Sequence, residues 1–96
     1  MALLDDIKLT LRISNTAFDS EITDLISAAR SDLKLSGILE SKTDDDNDPL
    51  IKRAITTYVK ANFGWNNPDA EKLQKSYDML KSHLSLSQEY TKEAVG

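Results

Sequence analysis

The sequence predicts a small all-α protein: a bundle of about four helices, with a helical hairpin in the C-terminal half and a partly disordered C-terminal tail. Three observations carry this. Apolar residues recur at spacings of three and four in four separate stretches. The stretches are bounded by helix start and stop residues, above all Asp48-Pro49, Asn67-Pro68, Gly37 and Gly64. The chain has 96 residues, enough for one hydrophobic core and too few for two.

The first helix spans roughly Leu3 to Arg12, with Leu4, Ile7 and Leu11 on one stripe. Asp5 and Asp6 occupy its first turn and Arg12 its last, the arrangement that the helix dipole favours. The second helix is the longest. Thr16 and Asp19 have the spacing of a capping box, with Asp in place of Glu. Phe18, Ile22, Leu25, Ile26, Ala29 and Leu33 then mark one buried face. Gly37 is placed to take the left-handed conformation that ends a helix, with Ile38 ready for the accompanying apolar contact.

Residues 40–47 are polar throughout and read as a loop that no core would absorb. Asp48 caps the third helix and Pro49 takes its first turn, where a missing N–H is harmless. Leu50, Ile51, Ala54, Ile55, Tyr58, Val59 and Phe63 form an apolar face broader than one neighbouring helix needs, while Lys52, Thr56 and Lys60 mark the wet side. The fourth helix opens at Asn67-Pro68 and carries Ala70, Leu73, Tyr77, Leu80 and Leu84. The short connection makes it an antiparallel partner of the third. Beyond Leu84 the periodicity fades, so the chain divides into a helical domain over 1–84 and a flexible tail over 85–96.

Charge and composition exclude several function classes. Twelve Lys and Arg against sixteen Asp and Glu give a net charge of −4, which repels phosphate. The basic pairs Lys8/Arg12 and Arg30/Lys34 each have carboxylates close by and read as solvated helix faces. With no cysteine there is no disulfide framework, thiolate site or thiol nucleophile. No apolar run is long enough to span a bilayer, and an N-terminus with two acids at positions 5 and 6 does not read as a signal peptide.

No catalytic or metal-binding constellation emerges, and neither a cofactor nor an enzymatic activity is expected. His83 is the only histidine and has no second ligand nearby in sequence. Taking Asp44 as position one, Asp44, Asp46 and Asp48 have calcium-loop spacing. Pro49 then stands where the EF-hand needs Gly, and Ile55 where it needs Glu. The motif fails. The residues best placed to meet another protein are Trp65 at the hairpin tip, Tyr90 in the tail, and the aspartates Asp44, Asp45, Asp46 and Asp48.

The order of elements resembles the phage head-tail connector family, the small head-completion adaptors also known as DNA packaging proteins. The resemblance is carried by Ile7-Lys8-Leu9-Thr10-Leu11-Arg12-Ile13, by the run from Asp19 to Ala29, by Asp48-Pro49-Leu50-Ile51-Lys52-Arg53-Ala54-Ile55, and by the aromatic end from Tyr58 through Trp65. It covers roughly 1–84; the acidic loop and the last dozen residues match no motif of the family. The resemblance implies a ring-forming structural protein of the virion neck, made in the host cytoplasm. Its partners would be the portal protein, a downstream neck or tail protein and further copies of itself, with DNA only as passing cargo and no membrane. It further implies that the C-terminal segment reaches toward the portal. An acidic channel wall would let DNA slide, and the 44–48 aspartates are the expected lining. The broad face of the third helix is expected to supply one subunit contact. The competing expectations are a small regulatory or nucleic-acid-associated protein, which would need a basic recognition helix not seen here, and an adaptor that forms no ring.

Overall fold

A computed structural model describes residues 3–64 and 67–92. Within them the chain is all-helical, with four helices of nine residues or more and two single turns: α1 (Leu3–Leu11), α2 (Asp19–Leu35), α3 (Glu40–Thr43), α4 (Pro49–Asn62), α5 (Ala70–Leu86) and α6 (Gln88–Thr91).

Helix α4 is central and packs against α1, α2 and α5. Its residues Ile51, Ala54, Ile55 and Val59 are buried together with Leu3 and Ile7 of α1, Ile22, Ile26, Ala29 and Leu33 of α2, and Tyr77 and Leu84 of α5. Most of the broad apolar face is therefore spent inside the chain, which leaves little of it for the subunit contact expected there. Helices α4 and α5 form the expected hairpin. Asn67 Nδ2 donates to the carbonyl of Lys60 (2.7 Å) near one end, and the chain after α5 returns to Asp48 at the start of α4.

Two helix stops follow one design with different residues. Gly37 has φ +101°, its N–H donates to the Lys34 carbonyl, and the Ile38 N–H reaches back to Leu33 (3.2 Å). Ile38 is buried, as the sequence predicts. At the end of α1 the left-handed position is held by Arg12, with φ +61°. Its N–H donates to Leu9, and the Ile13 N–H reaches Lys8 (2.9 Å). A side chain in that conformation costs about 1 kcal/mol relative to glycine.

Several expectations need correction. The Thr16–Asp19 capping box does not form: no side chain caps α2, and Asn15 Oδ1 instead accepts from the Ala17 N–H in a tight turn (3.0 Å). Phe18 is 44% exposed, although its ring meets Phe63 edge to face. Leu50 is likewise exposed. The 40–47 segment is not wholly solvated, because α3 buries Thr43 completely; the Thr43 hydroxyl donates to the Glu40 carbonyl (3.2 Å), which satisfies it. Finally, the chain does not become a tail at residue 85. Helix α5 continues to Leu86, α6 follows, and Tyr90 is only 5% exposed.

Candidate functional site

The acidic segment is positioned by helix α2. Arg30 and Lys34 lie one turn apart and face it. Arg30 pairs with Asp46 at 2.6 Å and with Asp44 at 3.8 Å, and it donates to the Thr43 carbonyl. Lys34 pairs with Asp44 at 3.4 Å and Glu40 at 3.6 Å. Asp45 Oδ1 accepts from the Asn47 N–H (3.0 Å), the local turn that lets four acids share one bend. Its carboxylate forms no ion pair among the described residues.

Asp48 has two tasks. Its Oδ1 accepts from the Leu50 and Ile51 N–H groups at 2.9 and 3.1 Å, capping α4 as Asp before Pro predicts. The Tyr90 hydroxyl donates to the same carboxylate, 3.1 Å from Oδ1 and 3.0 Å from Oδ2. The Leu39 N–H donates to the Tyr90 carbonyl (2.9 Å), and the Lys42 ammonium lies 5.6 Å from the ring centroid. Burial, and then the Asp48 carboxylate, push the Tyr90 hydroxyl pKa up to about 12.

The structure thus gathers Asp44, Asp45, Asp46, Asp48 and Tyr90 at one end of the molecule. It also changes their reading. Tyr90 is a core residue of this chain and not an exposed anchor for a partner, and Asp44, Asp46 and Asp48 are held by groups of the chain itself. Trp65 lies outside the described residues.

One polar centre was not found from the sequence. The Tyr77 hydroxyl donates to Asp32 Oδ2 at 2.6 Å, and Lys81 meets the same oxygen at 3.0 Å. Burial acts to raise the Asp32 pKa, but the bonds from Tyr77 and Lys81 outweigh it and leave the carboxyl below its ordinary value. Tyr77, fully buried, is driven above the usual tyrosine range by burial and by Asp32. The i, i+4 spacing of Tyr77 and Lys81 was visible in the sequence, but nothing there pointed to Asp32 on another helix as their shared acceptor. The centre ties α2 to α5.

A second surface is a groove of about 520 Å³ where the outer side of α4 meets α1 and α5, lined by Lys52, Arg53, Lys60, Thr10, Thr57 and Ser76 among others. Lys52 pairs with Asp6 at 2.7 Å; Arg53 and Lys60 form no ion pair among the described residues. Among those residues, too, no helix is long and apolar enough to cross a membrane.

The sequence model of the phage connector protein family matches residues 3–91, from α1 into α6. The chain belongs to that family. No curated protein and no solved structure matches it. The connector is accordingly a structural phage head-tail protein whose work lies in contacts with other head or tail proteins. The family match takes in α6, so it extends past the 1–84 boundary expected for the domain and includes Tyr90.

Proposed function

We propose that the connector forms a ring beneath the portal at the virion neck, extends the DNA channel and offers a docking face to the next neck or tail protein. The single observation that carries the reading is the family match across the whole described body, residues 3–91. A ring requires a subunit that keeps its shape and presents two different surfaces. The ties of Asp48 to Tyr90 and of Asp32 to Tyr77 and Lys81, which join distant parts of the chain, favour such a subunit.

The net charge of −4 suits a channel wall. Within the 44–48 segment, Asp45 is the aspartate we assign to the lining, because Arg30 and Lys34 neutralise Asp44 and Asp46 and Asp48 is engaged as a cap. Asp45→Lys should slow DNA ejection without altering the fold; unchanged retention and ejection would remove Asp45 from the channel. We assign the portal contact to the end where α2 and α5 finish, where Leu35 and Leu86 are 87% and 86% exposed.

The reading is tested by native mass spectrometry of the protein alone and mixed with portal rings, with images of the largest species. A closed ring, alone or on the portal, is expected. Binding to the portal as isolated subunits would instead favour an adaptor that forms no ring. A regulatory or nucleic-acid role is disfavoured because Lys8 pairs with Asp19 (2.7 Å) and Arg30 and Lys34 pair with the acidic segment. A salt-sensitive duplex shift at physiological ionic strength would revive it.

A further inference from the structure

We propose that the groove on the outer side of α4 is one half of a head-to-tail subunit contact, and that it receives the acidic outer face of α2 from a second copy. The proposal rests on the ring reading and names the surfaces that would close it.

The charge inventory points to this pairing. Most ion pairs of the described residues join neighbouring elements and leave two patches of opposite sign. On α4, Arg53 and Lys60 lie two turns apart on one stripe, opposite the buried positions Ile51, Ala54, Ile55 and Val59. Lys72 of α5 extends the basic lining past Lys60, where Asp69 is the one acid. None of Arg53, Lys60 and Lys72 is ion-paired among the described residues. On α2, Glu21 and Asp24 are exposed and have no ion-pair partner among the described residues, and Ser20, Ser27 and Ser31 beside them are exposed as well.

The geometry makes the pairing intermolecular. Helices α2 and α4 bury facing stripes in one core, so Glu21/Asp24 and Arg53/Lys60 point away from that core and from each other. Within one subunit the α2 acids cannot reach Arg53 and Lys60. Two different patches on one body are what a heterologous, ring-closing contact needs. The small side chains on α2 leave room for close approach, and the groove supplies hydroxyls as well as charge. Such a contact gains its register from charge complementarity and weakens with salt.

The absence of cysteine permits a direct test. In the full chain, Ser76→Cys in the groove and Ser27→Cys on α2 are combined, and mild oxidation is applied under conditions where the wild-type protein assembles, with portal rings present. A ladder of covalent multimers from the double variant, with neither single variant going beyond a dimer, is the expected result. Arg53→Glu with Lys60→Glu should weaken assembly by about tenfold or more, and adding Glu21→Lys with Asp24→Lys in the same chain should restore it. That restoration also separates lost contact from lost fold. Wild-type assembly that is indifferent to the reversal would overturn this contact and leave the ring reading standing. Failure of the wild-type chain to form a ring even on the portal would overturn both. Loss of duplex-DNA binding in the Arg53/Lys60 variant with assembly intact would assign the groove to nucleic acid and overturn the proposal.

Discussion

The Tyr90 hydroxyl donates to the Asp48 carboxylate across 42 positions of sequence, and so ties α6 to the capped start of the central helix. Tyr90→Phe keeps the ring in the core and removes only this bond. It should lower stability by about 1–2 kcal/mol, read as a shift of the urea midpoint at constant slope. The pH dependence has a definite sign. With its hydroxyl raised from 10 to about 12, Tyr90 contributes fully below pH 10 and loses its contribution as pH rises toward 12. The wild-type protein should therefore lose more stability than Tyr90→Phe over that window.

Truncation after Leu84 removes a buried aromatic ring as well as its hydrogen bond. A cost of at least about 3 kcal/mol is expected, seen as a lower melting temperature and as proteolysis near the newly exposed end of α4. A fragment 1–84 as stable as the full chain would show that α6 adds nothing to the core.

The aspartates of the acidic segment should separate by role. Asp48→Ala removes a helix cap and strands the Tyr90 hydroxyl, for a loss of about 2–3 kcal/mol. Asp46→Ala breaks a partly exposed pair with Arg30 and should cost under about 1 kcal/mol. Asp45→Ala should be close to neutral for stability. Equal losses at the three positions, measured by denaturant titration, would contradict this ordering.

Asp32 sets a pH limit on the acid side. Its folded pKa is lowered from 3.8, so its contribution is present above that value and is lost as pH falls below it. Asp32→Asn should destabilise at neutral pH by about 1 kcal/mol, a figure already reduced for the exposure of the carboxylate. The difference from wild type should shrink at the acid end of a melting-temperature series.

Arg12 offers a stabilising change. Glycine removes the Cβ strain at φ +61° and should raise stability by about 0.5–1 kcal/mol, despite giving up a favourable charge at the end of α1. Gly37→Ala, at φ +101°, should cost a similar amount. Thermal melts of the two variants moving in opposite directions would verify the assignment.

What the sequence revealed and what it concealed divide along a physical line. Asp48-Pro49, Gly37-Ile38 and the stripe from Ile22 to Leu33 were legible because backbone chemistry and helical period act over a few residues. The left-handed Arg12 was not, since no glycine marks it. Thr43 and Tyr90 were misread because a single buried residue in a one-turn helix has no period to display. The neutralisation of the acidic segment by Arg30 and Lys34 was not legible either, because it depends on how α2 and α3 fold against each other. Spacing along the chain does not report that.

The doubled role of Asp48 also bears on the order of folding. The Leu50 and Ile51 N–H groups that it caps lie two and three residues away, so that contact needs only a local turn and forms as α4 does. The Tyr90 hydroxyl lies 42 positions away, and its bond must wait until α5 has folded back along α4. One carboxylate thus joins an early contact to a late one.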